Sequence, residues 1–316
     1  MRLILLAALL TAFIAAISAG AVKIDLFNMS EIERNIFLDV RLPRVVLAGL
    51  VGAALALSGV LFQYVMKNPL ADSFTTGVSA SSAMGAVIAI MLGLMPYIPL
   101  FALAGGLAGL CLVSRIASHR GRIQPITMLL AGIVLSTFAS ATISFMKFLS
   151  DDAVSSIIFW LMGGFQAATA SKDMILFAVI CLSFLMIRDD YLKLDILCFD
   201  DTTASSTGVD VNRLRKKLFF AAALLTAFSV GYAGIIGFVG LIIPHILRLG
   251  NFVKASYLLP ASLIGGAAFM IATDLIARTI LQEGQELPVG VITSSIGGVF
   301  FLYLLIKRRK ELFYFN

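Results

Sequence analysis

Few side chains in this sequence are of a kind that could do chemistry, and none is arranged to do it. The two histidines, His119 and His245, stand in a basic loop and directly after Pro244. Cys111, Cys181 and Cys198 are isolated, so they form neither a metal-ligand spacing nor a disulfide framework. The carboxylate pairs Asp151-Asp152 and Asp200-Asp201 lie in polar segments, where solvated charge is the ordinary state. No phosphate-loop motif of the GxxxxGKS or GxxxxGKT kind occurs, so the chain does not hydrolyse nucleotide through a loop of its own. No catalytic residue, metal ligand or cofactor is expected.

The informative charges are those beside or inside apolar runs. A charge at the centre of a membrane helix costs roughly 2.5–3.5 kcal/mol, so it usually has a function. Asp274 is the clear candidate, with Arg278 four residues later on the same helical face. That pair can neutralise itself, and a single self-paired carboxylate is a poor relay for an ion gradient. Arg41 and Arg44 flank Pro43 at the start of an uncharged run of about twenty residues. Asn68-Pro69-Leu70 breaks the chain at the end of that run.

These residues must be positioned by helices. The chain is 60% hydrophobic and 13% charged, more apolar surface than a soluble fold could cover. Its net charge of +6 is scattered between apolar runs with no basic, aromatic stripe, so nucleic acid is not an expected partner. Apolar runs against turn signals give an all-α, polytopic membrane protein, a single domain over 1–316 with ten spans. They fall at about 2–19, 43–66, 79–95, 99–114, 124–146, 173–187, 217–233, 236–248, 257–277 and 288–306. Met1-Arg2, an apolar stretch and Ile17-Ser18-Ala19 have the outline of a signal peptide, but with many spans to follow an uncleaved first helix is expected. The segment Val22 to Asp39 reads as polar, and the eighth span reads as short and partly re-entrant around Pro244. Gly49 and Ala53, Gly52 and Ala56 are small-xxx-small pairs that let helices approach closely.

With both termini cytoplasmic, 17 of the 24 basic residues fall inside and 7 outside, as the positive-inside rule requires. Arg41 and Arg44 then lie on the outer face, where the rule disfavours them. Snorkelling to lipid phosphates is one explanation and a functional role is the other. Asn68-Pro69, Gly163-Gly164 and Pro244 break helices near membrane depth, where irregular backbone survives only if buried in protein or lining a wet cavity. The polar segment 188–217 is the longest loop. Within it Asp201-Thr202-Thr203 would cap a short helix starting near Ala204, Gly208 would stop it, and Asp210 would cap a second. The ten-residue steps Gly59 to Pro69 and Gly234 to Pro244 echo each other, as an inverted repeat of two halves would.

Several segments, taken in order, resemble the permease family of iron-siderophore, haem and cobalamin ABC importers. They include RLPR at 41–44, GAALALSG at 52–59, NPLA at 68–71, WLMGGF at 160–165, GFVGLIIPHILR at 237–248, DLIAR at 274–278 and ELPVGVIT at 286–293. The resemblance implies ten helices per subunit, a homodimer with the path on its axis, two separate ATPase subunits and an external substrate-binding protein. It implies that Arg41, Arg44 and Arg278 dock the binding protein. Asn68, Pro69 and Leu70 would form a cytoplasmic gate, and Ala204, Gly208 and Val209 a loop coupled to the ATPase. The breaks at Gly163, Gly164 and Pro244 would line the path. The cargo would be a metal chelate, iron-siderophore or haem before cobalamin, with molybdate or tungstate on the same scaffold. An ion-coupled secondary transporter and a non-transporting membrane scaffold are the readings from other classes.

Overall fold

Several helices in this chain begin at an early proline or a side-chain cap, and several end at a glycine. A computed structural model describes residues 2–20, 29–119, 122–150, 153–281 and 285–307. Lys23, Arg120, Asp151, Asp152 and the basic run Arg308 to Lys310 lie outside these residues.

The helices are α1 (Arg2–Ser18), α2 (Glu31–Asn35), α3 (Leu42–Met66), α4 (Val78–Met91), α5 (Ile98–Ala117), α6 (Pro125–Leu149), α7 (Val154–Met162), α8 (Ala170–Ile187), α9 (Tyr191–Leu197), α10 (Asp201–Ser206), α11 (Val211–Ala233), α12 (Val239–Leu249), α13 (Ala255–Thr279) and α14 (Val289–Lys307). The strands described are two-residue pieces, β1 (Ser118–His119) and β2 (Arg122–Ile123), paired antiparallel. Each of the ten expected spans has its helix. Among the described residues seven helical stretches are long and apolar enough to cross a membrane, and three shorter apolar helices (within α1, α4 and α12) complete the set.

Three boundaries differ from the sequence reading. The second span does not start at residue 43: α2 opens on a capping box between Ser30 and Glu33, and a π-helical stretch, Ile36–Arg41, carries it into α3 without a break. The loop helix starts at Asp201, because Asp200 and not Asp201 is its cap. Asp210 does cap a helix, but that helix is the long α11, so the two short helices of the polar loop are α9 and α10.

α3 is the centre of the bundle. Nearly every residue from Val45 to Met66 is buried, and α13, α11 and α12 pack around it. Lipid supplies no hydrophobic drive between helices, so close packing must hold them. On the α13 side, a Cβ on Gly52 would run into the carbonyl of Gly266, and one on Gly266 into that of Gly52. On the α11 side, Phe62 and Phe219 meet edge to face with centroids 5.7 Å apart. Large exposed apolar side chains fall on the outer helices, such as Phe138 and Phe145 on α6, Phe177 on α8 and Val299 on α14. The two echoed glycine-to-proline steps occupy unlike places: Gly59 is inside α3 with Pro69 beyond its end, whereas Gly234 precedes α12 and Pro244 lies within it.

Candidate functional site

At the first turn of α3, four charged groups from three parts of the chain converge. Arg44 Nε and Nη2 donate to Asp274 Oδ1 at 3.1 and 2.9 Å, and Nη1 donates to both oxygens of Glu286 at 2.9 Å. Arg278, one turn after Asp274 on α13, places Nε 3.0 Å from Asp274 Oδ2. Asp274 is thus shared between two arginines, a wider arrangement than a self-contained pair with Arg278. Helix α1 ends at the same place. Its terminal carbonyls have no helical donors and attract cations; Ala16 accepts from Arg278 Nη2 at 3.0 Å and Ile17 from Arg41 Nη1 at 2.9 Å. All three arginines are less than a tenth exposed. Glu286 is the accessible carboxylate, with 29% of its side chain exposed against 1% for Asp274.

Further along the bundle, the broken segments are stitched to one another. Gly164 N donates to the Ala233 carbonyl at the end of α11, and Val289 N at the start of α14 donates to the Gly163 carbonyl, at 2.9 and 3.2 Å. These bonds satisfy backbone that could not survive in lipid. Pro244 sits inside α12 and supplies no N–H to the carbonyl four residues earlier, that of Gly240. Gln63 of α3, fully buried, donates there instead at 3.2 Å, and its Oε1 accepts from Arg248 Nη1 at 2.6 Å. With 11 residues, α12 rises only about 16 Å, roughly half a hydrocarbon core of ~30 Å.

A cavity of about 660 Å³ opens where the broken segments meet. Asp72 and Phe74 from the turn after α3, Met162 from the end of α7, Gly237 and Phe238 before α12, and Ser294 on α14 line it. The Asp72 carboxylate accepts from the N–H groups of Phe74 and Thr75 at 3.0 and 2.9 Å, holding that turn. Gly163, Gly164 and Pro244 are neighbours of this lining and not part of it.

At the far end of α3, Asn68 closes a turn by accepting from Leu70 N at 2.9 Å, and Asn68, Pro69 and Leu70 are half-buried. The polar loop folds beside them. The Asp200 side chain caps α10 by accepting from the Thr202 hydroxyl and from the Thr203 N–H and hydroxyl, which hold its carboxyl down at about 2. Asp201 is also lowered: burial pushes it up, but hydrogen bonds from Arg215 and Lys67 outweigh that. Ala204 is buried beneath the loop, and Gly208, with φ +84°, ends the turn in a conformation that costs a residue with a Cβ. Val209 is nearly buried, and with Gly208 it lines a pocket of about 430 Å³ together with Lys193, Arg213 and Lys217.

The FecCD transport family matches residues 4–307. This chain belongs to the FecCD family. It is a permease subunit of an ABC importer, and its apolar helices make it a multi-pass membrane protein. It is 37% identical over 288 residues to the cobalamin import system permease protein BtuC of Halobacterium salinarum, an alignment covering 89% of this chain and 76% of that protein. It is 33% identical over 284 residues to the hemin transport system permease protein HmuU of Yersinia pestis, covering 88% and 85%. Its fold resembles a metal-chelate type ABC transporter in an inward-facing conformation, with a TM-score of 0.88 and 30% identity over 96% of this chain and 97% of the other.

Sequence reading brought out the three arginines of this FecCD chain and the Asp274–Arg278 pair, and missed Glu286 and the carbonyls at the end of α1 that complete the cluster. Glu286 stood within the segment 286–293 but had no partner in one dimension. Gln63 was the detectable signal: it is the one amide inside the uncharged run of α3.

Proposed function

We propose that the chain is one half of a homodimeric permease that passes a metal chelate, an iron-siderophore or haem, across the inner membrane. An external binding protein delivers the cargo, and two cytosolic ATPase subunits drive the cycle. The observation that carries this reading is the fold match over 96% of the chain to a metal-chelate type ABC transporter. Cobalamin is the second reading, favoured by the 37% identity to a cobalamin import permease. Molybdate and tungstate are carried by the same reading as further cargo of this scaffold.

Both termini lie in the cytoplasm in this account, as the distribution of 17 basic residues against 7 supports. The Arg44 end of α3 then faces the binding protein. Arg41, Arg44 and Arg278 receive its acidic groups, which would take over the place Glu286 holds. Pairs of this kind contribute little affinity each but fix orientation and speed encounter. Asn68, Pro69 and Leu70 form the inner gate. The cavity between the broken segments belongs to the path, with Gly163, Gly164 and Pro244 supplying the breaks. Helix α10 with Ala204, Gly208 and Val209 is the contact for the ATPase.

Two measurements on the purified complex test this. Docking of the binding protein should weaken as salt rises, because complementary charge steers it; docking indifferent to salt would sink the assignment of the arginines. Mass spectrometry of the small molecule trapped in the complex should find a metal chelate. A free oxyanion there would remove the leading cargo.

A further inference from the structure

The inner end of α3 and helix α10 are not merely neighbours. Lys67 caps α3, and its ammonium lies 2.8 Å from Asp201 Oδ1, in the first turn of α10. The same ammonium donates to the Phe199 carbonyl at 3.1 Å, just before that helix. Asp201 in turn receives both ends of the Arg215 guanidinium, at 2.7 and 2.8 Å. Arg215 is 1% exposed and also donates to the Ile123 carbonyl at 3.3 Å. Asp201 and Arg215 together therefore join four parts of the chain: the end of α3, the loop helix, α11 and, through Arg215, the β2 segment.

The strengths of the two contacts differ in a useful way. A buried guanidinium without a partner is strongly disfavoured, so Arg215 fixes Asp201 and with it α10 to α11. Lys67 is part-exposed, its side chain 23% accessible, and is held less firmly. It is also placed where glycine would be easier. Its φ of 48° lies in the left-handed region that usually ends a helix on glycine. A lysine there has a use for its long side chain, which reaches α10. The next residues are Asn68, Pro69 and Leu70.

We propose that Lys67 and Asp201 are positioning residues that transmit movement of α10 to the Asn68–Leu70 segment, so that a displaced loop helix pulls directly on the inner end of α3. This rests on the reading of α10 as the ATPase contact and of Asn68–Leu70 as the gate. Movement of α10 then needs no path through the packed interior: Arg215 anchors the carboxylate, and Lys67 is the arm between it and the gate.

The test uses the full complex of permease, ATPase and binding protein in proteoliposomes. Lys67→Met removes the arm and leaves the Arg215–Asp201 pair intact. ATPase subunits should remain bound and hydrolyse ATP at the normal rate, while uptake per ATP falls about fivefold or more, the usual scale of a coupling between sites. Lys67→Arg, which keeps a cation able to reach Asp201, should restore uptake per ATP. Lys67→Gln retains a donor for the Phe199 carbonyl without the charge, and replaces Lys67→Met where that variant does not assemble. Unchanged uptake per ATP in the neutral variants overturns the proposal, and so does a loss of ATPase activity and thermal stability in parallel with uptake. A wild-type complex with no ATP-dependent uptake would instead refute the importer reading itself.

Discussion

Gln63 donates its side-chain amide to the carbonyl of Gly240, the acceptor that Pro244 leaves without a helical donor. A break in one helix is repaired by a polar side chain from another, and that side chain is fixed at its other end by Arg248. In water such a gap could be filled by solvent. Inside a bundle it must be filled by protein, so α12 depends on α3 for its geometry.

Replacing Gln63 with leucine should therefore destabilise the protein by about 1–3 kcal/mol, the cost of leaving a buried polar group unpaired. Two groups lose a partner, the Gly240 carbonyl and the Arg248 guanidinium. Thermal unfolding in detergent measures this, with Ser58→Ala on the same helix as the control: that hydroxyl bonds only within α3, to the Leu55 carbonyl.

Asp274→Asn should be more damaging. It removes the carboxylate shared by Arg44 and Arg278 at a site 1% exposed, and breaking a buried pair typically costs about 3–5 kcal/mol. Expression in the membrane and the melting temperature in detergent should both fall. A melting temperature within a degree or so of wild type would show that Glu286 alone can balance the arginines.

Glu286→Gln should have the opposite sign on partner binding. Its carboxylate occupies Arg44, so weakening it frees that arginine for an acidic group from outside. Affinity for the binding protein should rise up to about fivefold, on the scale of roughly 1 kcal/mol for a part-exposed ion pair. Surface-bound kinetics would show this as slower dissociation, and weaker binding would mean that Glu286 helps to dock the partner directly.

The cap on α10 makes its order dependent on pH. The Asp200 carboxyl is lowered to about 2 when folded, against about 3.9 for a free aspartate. A lowered value means the stabilisation is present above about pH 4 and is lost as pH falls through about 2. Hydrogen exchange at the Thr203 amide should stay protected down to about pH 4 relative to the intrinsic rate and lose protection below it. In Asp200→Ala protection should be weak at every pH.

The sequence showed the ten helices because apolar length and charge asymmetry are local signals, and α3 announced its close packing through Gly49 and Gly52. Helix starts were less legible where chemistry was doubled. Asp200 and Asp201 are adjacent and equivalent on paper, yet one caps α10 and the other reaches Arg215 and Lys67. The π-helical stretch Ile36–Arg41 was hidden because Asp39 and the polar residues before it set the reading of the whole segment, although Ile36, Phe37, Leu38 and Val40 are apolar. In the arginine cluster only the local pair, Asp274 with Arg278, could be read from spacing; the partners of Arg44 could not. Arg44 is separated from Asp274 by 230 residues and from Glu286 by 242, and no spacing rule spans such distances.

The central claim is that this FecCD chain moves its cargo at the expense of ATP hydrolysed by other subunits. The most direct measurement is uptake of the chelate into proteoliposomes holding the permease, its ATPase and its binding protein, with ATP or an imposed ion gradient as the only energy source. Uptake should require ATP and be abolished by a hydrolysis-deficient ATPase, with no response to the gradient. Uptake driven by a proton or sodium gradient without ATP would contradict the account.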